Sequence, residues 1–305
     1  MSRHRKSLAL QRAEYGLYRG VAFLAHRMSA ASTVRWGSRL GALSRRLLRR
    51  RDRLMMRNLR RVFPEKSEEQ RRAIADACWR HFGRETLFTL RAQAMSLAEI
   101  AAACPLVNAE VLESAIARGK GVLLLSAHYG GWEVAGMAVM SLVRNIRTIT
   151  RRLDNEFLER DLARLRSSTG AAVLDRKRAV REIIRALEEN AVIVLLPDQS
   201  VLPREGVLVP FLGHDAWTTT LPAKLAQRMG STIVFTFCIA DETGHRLEFE
   251  SPIQPSEAGS DPVALTRRIN DVISRRIEAH PELWLWMHDR WKGTATGESE
   301  GVNGE

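Results

Sequence analysis

Gly121-Val122-Leu123-Leu124-Leu125-Ser126-Ala127-His128-Tyr129-Gly130-Gly131-Trp132-Glu133 is the stretch on which the fold of this 305-residue chain turns. The 23 residues from Gly121 to Val143 are broken only by Glu133 and carry the hydropathy of a membrane span. Two adjacent glycines at their centre, flanked by His128 and Glu133, argue instead for a buried strand, a tight turn and a buried helix. A histidine at the carboxyl end of a parallel strand stands on the edge where open α/β sheets bind ligands. Glu133 falls in the first turn of the following helix, where the dipole favours its charge. From there it is predicted to curl back to one ring nitrogen, fixing the tautomer and raising the basicity of the other, which makes His128 a general base. Free N–H groups at the helix start are candidates to hold an oxyanion. H-x-x-x-x-E alone recurs by chance in many proteins; its place between a strand and a helix gives it weight.

Downstream, Ile146–Thr150, Ala171–Leu174, Val192–Leu196, Thr232–Ile239 and Arg246–Glu250 also read as strands. Counting Val122–Ser126 as the first of six strands, helical patterns lie between the first five, near Trp132–Val143, Asp154–Ser168, Arg176–Glu189 and Thr219–Met229, and a last one spans Pro262–Ala279. Strand alternating with helix predicts an α/β protein with a mostly parallel mixed sheet flanked by helices. Upstream, Ser67–Gln70 and Ser96–Glu99 are capping-box patterns that start helices, the first running to about Leu90. The tail 294–305, rich in Gly, Ser, Thr and Glu, is expected to be disordered. The expected division is 1–60 basic amphipathic helices, 61–293 an α/β domain, and 294–305 the tail.

Charge separates the first segment from the rest. Of 47 Lys and Arg and 35 Asp and Glu, residues 1–61 hold 17 basic and two acidic, so the +12 net charge resides at the amino end and the remainder is slightly acidic. Such an arm seeks a polyanion, either nucleic acid or an anionic membrane. Leu10, Leu17, Val21, Leu24 and Met28 form one apolar stripe, and Trp36, Leu40, Leu43 and Leu47 another, each beside arginines. Apolar stripes with cationic flanks suit helices lying in the headgroup plane; the bland alternative is two helices packed on the body with a solvated charged face. A nucleic-acid role is disfavoured because the arginines share helices with apolar stripes and no recognised nucleic-acid module is present. Cys78, Cys104 and Cys238 form no C-x-x-C pair and read as buried thiols. The histidines show no metal-ligand spacing, so no metal is expected.

Several blocks resemble a known family. His128-Tyr129-Gly130-Gly131-Trp132-Glu133 is similar to the H-x4-[DE] motif of glycerolipid acyltransferases, in the form carried by the lipid A late (lauroyl/myristoyl) acyltransferases. Asn58-Leu59 with Phe63-Pro64, Arg166-Ser167-Ser168-Thr169-Gly170, Asp198-Gln199, Gly206 to Gly213, and Trp286 to Lys292 are similar to further blocks of that family, in order along nearly the whole chain. Two positions depart from it: Thr150-Arg151-Arg152 precedes Asn155 where Tyr-Arg-Pro is common, and Asp289 stands where Arg is usual.

The resemblance implies a membrane-associated acyltransferase that moves a fatty acyl chain from a thioester to a hydroxyl of a lipid A precursor in lipopolysaccharide biosynthesis. The enzyme would be peripheral or monotopic at the bacterial cytoplasmic (inner) membrane, with its site on the cytoplasmic side. It implies no cofactor, with acyl-acyl carrier protein or acyl-coenzyme A as co-substrate. Its partners would be anionic membrane lipids, a phosphorylated saccharolipid acceptor and acyl carrier protein. By the same resemblance His128 is the base and Glu133 its orienting carboxylate. Arg166 and Asp198 match positions needed for activity, as substrate or oxyanion groups, and Arg151, Arg152 and Asn155 are candidate acceptor-binding residues. Without it, Arg166 reads as a solvated helix residue, Asp198 as a turn former, and Trp284, Trp286 and Trp291 as packing. The related alternative is an acyltransferase acting on another glycolipid, such as a phosphatidylinositol mannoside, or on a lysolipid.

Overall fold

The computed structural model describes residues 7–149, 154–161, 172–174, 179–240, 244–257 and 259–294. Its centre is a seven-stranded sheet of β1 (Leu106–Val107), β2 (Val122–Leu125), β3 (Ile146–Ile149), β4 (Ala172–Leu174), β5 (Val192–Leu195), β8 (Thr232–Ala240) and β9 (His245–Ile253). Their order is β1-β9-β8-β2-β5-β3-β4. Strands β8, β2, β5, β3 and β4 run parallel, while β9 is antiparallel to β8. A separate antiparallel hairpin, β6 (Val207–Phe211) and β7 (His214–Thr218), lies outside this sheet.

All four residues of β2 and all nine of β8 are buried, as strands covered on both faces must be. Alternate side chains enter opposite cores. Leu123, Leu125, Phe235 and Phe237 join Ile183 and Leu187 of α8 (Ala179–Glu188), Leu225 of α9 (Leu221–Met229) and Ile269 and Ile273 of α10 (Pro262–Ala279). Val122, Leu124 and Val234 meet Val134 and Val139 of α7 (Trp132–Leu142), Ile100 of α5 (Leu97–Ala103) and Leu112 of α6 (Glu110–Ala117). Each such leucine contributes about 1.5–3 kcal/mol by burial, so β2 is anchored from both sides and the turn after it inherits a fixed origin.

At the amino end lie α1 (Leu8–Ala25), α2 (Ala30–Leu47), α3 (Arg49–Val62) and α4 (Glu68–Ala92), the last opened by the Ser67–Gln70 capping box. Packing does not break at residue 60: Met55, Met56 and Leu59 of α3 belong to the same core as Leu123 and Phe235. Helix α2 lies against α4 at backbone contact, because a Cβ on Gly41 would overlap the Trp79 carbonyl and one on Gly83 the Gly37 carbonyl. The outer faces stay uncovered. Leu17 and Leu24 on α1 and Trp36, Leu43 and Leu47 on α2 are exposed beside arginines, with Arg27 stacked over Phe23 and Arg39 over Trp36. No helix among the described residues is long and apolar enough to cross a membrane. The disorder expected of 294–305 concerns residues that, after Thr294, lie outside the described ones.

Candidate active site

β2 and β5 are neighbouring parallel strands with Leu125 directly opposite Leu195. His128 and Asp198 each follow three residues later, so matched positions of two strands emerge side by side at the carboxyl edge. His128 Nδ1–H donates to Asp198 Oδ1 at 2.8 Å, and the His128 backbone N–H donates to Oδ2 at 3.0 Å. Trp284, arriving from the carboxyl-terminal segment, donates its indole Nε1–H to the same Oδ2 at 2.8 Å. Asp198 is 1% exposed and the His128 side chain 22%, so the carboxylate is sealed in while the imidazole reaches the surface.

The electrostatics follow from this packing. Burial alone would raise the Asp198 carboxyl, but the charge of His128 and the hydrogen bonds from His128 and Trp284 outweigh it and hold it below its ordinary value. Burial alone would lower His128; the charge and hydrogen bond of Asp198, with a smaller contribution from the charge of Glu133, carry it upward. With Nδ1–H committed to a carboxylate, the neutral imidazole presents its Nε2 lone pair outward. There it meets Gln199, whose side-chain amide lies 3.3 Å away and donates to it.

The carboxylate that orients His128 is therefore Asp198, and the expected contact from Glu133 is not made. Glu133 is exposed in the first turn of α7, and its influence on His128 is through space. Asp198 in turn is too deeply enclosed to meet a substrate. Of the backbone donors around the turn, Gly130 N–H is given to the Leu283 carbonyl at 2.8 Å and Gly131 N–H to that of Cys238 at 3.3 Å, while the N–H groups of Trp132, Glu133 and Val134 in the first turn of α7 make no hydrogen bond among the described residues. Gly130 sits at φ +56°, and a Cβ there would overlap the Cys238 carbonyl, which is why the turn needs glycine. Asn155 is also spoken for. Buried, it donates to the Gln11 carbonyl and Glu14, and its Oδ1 accepts from the N–H groups of Phe157 and Leu158, so it caps residues 156–161 and ties them to α1. Arg151, Arg152 and Arg166 lie outside the described residues.

Trp284 and Gln199 were not read as site residues from sequence. Trp132 packs edge-on against His128 and against Phe82 of α4, giving the imidazole an aromatic wall. Behind Asp198, the fully buried Arg290 donates to the Trp217 carbonyl and the Thr218 hydroxyl; burial lowers its pKa to about 10, against the nearby charge of Asp198. His288 Nε2 accepts the Ser200 N–H at 3.1 Å, and burial keeps this ring below the ordinary histidine value. Asp289, where the resembling family has Arg, pairs with Arg57 of α3 at 2.9 Å.

A carboxylate-polarised histidine opening on the carboxyl edge of a mostly parallel sheet, inside an H-x4-E turn, is the fold and site of an α/β acyltransferase. A family model described as "Bacterial lipid A biosynthesis acyltransferase" matches residues 1–293, and the chain belongs to that family. It is 26% identical over 268 residues to the lipid A biosynthesis palmitoleoyltransferase of Escherichia coli, covering 86% of each chain. To the lauroyltransferase of the same organism it is 27% identical over 283 residues, covering 91% of each. A phosphatidylinositol mannoside acyltransferase of Mycobacterium tuberculosis is 29% identical over 184 residues, 59% of this chain and 57% of that one.

Proposed function

We propose that this acyltransferase moves a fatty acyl chain from the thioester of acyl carrier protein to a hydroxyl of a lipid A precursor, with His128 as general base. The observation that carries the reading is the His128–Asp198 hydrogen bond, which leaves Nε2 as the basic atom at a half-open edge. The acceptor hydroxyl gives its proton to Nε2 as its oxygen attacks the thioester carbonyl. The tetrahedral adduct then collapses, the C–S bond breaks, and the departing thiolate recovers the proton from His128. Asp198 keeps the ring in the productive tautomer and stabilises the imidazolium without itself taking a proton. Glu133, exposed at the start of α7, adds negative charge that supports the imidazolium.

The uncovered apolar residues of α1 and α2, interleaved with arginines, support docking on an anionic bilayer, on the cytoplasmic side where the acyl carrier thioester is found. Arg151, Arg152 and Arg166 are proposed to meet the phosphates of the acceptor or the developing oxyanion. The likeness to phosphatidylinositol mannoside acyltransferases favours a second acceptor class, a mannosylated phospholipid, for the same chemistry. His128→Ala is expected to abolish transfer to a lipid A precursor while preserving the fold by circular dichroism and co-sedimentation with anionic liposomes. A fully active variant would refute the mechanism. Offering the two acceptors in parallel, with mass spectrometry of the products, decides between them.

A further inference from the structure

We propose that Gln199 is a second catalytic group. Its side-chain amide caps the Nε2 lone pair of His128, cedes that place to the acceptor hydroxyl, and then donates to the thioester carbonyl oxygen as charge develops there. The proposal rests on His128 as the base.

The assignment of donor and acceptor is forced by the neighbours. Asp198 accepts from Nδ1–H, so the neutral ring carries no hydrogen on Nε2, and the group 3.3 Å from that atom has to be the amide N–H. Gln199 is half-buried, and its side chain makes no other hydrogen bond among the described residues. A glutamine kept for structure would be anchored at its oxygen; this one hydrogen-bonds, among the described residues, only to the reacting nitrogen. The contact is long for a hydrogen bond, and a hydroxyl seated at about 2.8 Å from Nε2 replaces it with a better one. Position supplies the rest. Gln199 directly follows the carboxylate that holds His128, so its backbone is fixed by β5 and the Asp198 contacts, while the contact to Nε2 is the one hydrogen bond of its side chain among the described residues.

Two donors of the turn are already engaged. The Gly130 and Gly131 amides point inward to the Leu283 and Cys238 carbonyls. A displaced carboxamide beside Nε2 is a donor already at the reacting centre, and an oxyanion donor of this kind acts most strongly where water is excluded. The proton balance is unchanged: the hydroxyl proton goes to Nε2 and from there to the thiolate, the C–O bond forms as the C–S bond breaks, and Gln199 neither gains nor loses a proton.

The test uses the full chain with a lauroyl thioester of acyl carrier protein and a lipid A precursor. Gln199→Met, close in volume and without a donor, and Gln199→Ala are compared with the parent and with His128→Ala. The expected result is a fall in kcat of about 100- to 1000-fold with little change in KM. The acid limb of kcat/KM is also expected to move to higher pH, because an N–H donated to Nε2 favours the neutral ring and its removal favours the imidazolium. Should His128→Ala be inactive while both Gln199 variants keep kcat within threefold of the parent or exceed it, Gln199 is only a placeholder and the proposal fails alone. Activity in His128→Ala would instead overturn the base.

Discussion

His128–Asp198 and His245–Glu85 are the same chemical pair in two settings, one on each side of the Gly130-Gly131 turn. In the first, Nδ1 is tied at 2.8 Å and Nε2 faces an amide at a half-open edge. In the second, His245 Nε2 meets Glu85 Oε2 at 2.9 Å, both side chains are under 10% exposed, and Nδ1 has no partner among the described residues. Phe88 covers the His245 ring at 4.2 Å, and Glu85 and His245 occupy the space a Cβ on Gly131 would need. His81 nearby is so enclosed that its pKa drops to about 4. A histidine beside a carboxylate is thus no sign of catalysis by itself. What matters is whether the second nitrogen can reach a substrate, and here the open pair is suited to reaction and the closed pair props the turn that carries it.

The sharpest way to break this contrast is Asp198→Asn. It should keep the fold and lower kcat by about 1000- to 10000-fold, the size of effect seen when the orienting carboxylate of a histidine base is neutralised. The pH profile carries a second signature. Because a base must be deprotonated and Asp198 raises His128, parent kcat/KM should climb through a midpoint above the ordinary histidine value of about 6.5. Without the carboxylate charge, burial dominates and the midpoint of the residual activity should move to lower pH. An unshifted midpoint would mean that another group is being titrated.

Trp284→Phe strikes the same carboxylate more gently. It removes one hydrogen bond to a charged, buried oxygen, worth about 1.5–3 kcal/mol, and should lower kcat roughly tenfold if about half of that is felt in the transition state. Trp286→Phe is the control, since its indole donates to the Pro281 carbonyl and not to Asp198. It should cost stability in a thermal melt yet leave the pH midpoint in place. Equal kinetic losses in the two variants would reduce Trp284 to packing.

The contrast also marks how far the sequence could be read. Runs such as Val122-Leu123-Leu124-Leu125 and Thr232 to Ile239 declare buried strands because they are uncharged and rich in β-branched and aromatic residues, and the α10 range Pro262–Ala279 is legible from its proline start and its period. The β6–β7 hairpin was visible only as a motif, since Pro210 and its half-exposed alternation weaken the strand signal, and β1 is only two residues long. Reading His128 within its own turn led to Glu133 as the partner. The carboxylate that binds it is 70 residues away and is set by register between β2 and β5, information that no local window holds. Trp284 is further still: that it binds Asp198 depends on where the carboxyl-terminal segment crosses the strand ends, and its own neighbourhood says only that it is buried.

The smallest expected kinetic effect comes from the closed pair, and it tests the comparison from the other side. Glu85→Ala leaves His245 Nε2 unpartnered in a sealed site, which costs about 1–3 kcal/mol and should appear as a lower denaturant midpoint. Per folded molecule, however, kcat should fall less than tenfold, since Gly130 and Gly131 retain their hydrogen bonds to Leu283 and Cys238 and the His128–Asp198 bond does not involve α4. Glu85→Gln, which keeps an acceptor for His245, should recover most of the stability. If Glu85→Ala instead abolished turnover at unchanged stability, the buried pair would belong to the chemistry and exposure of the second nitrogen would no longer separate the two.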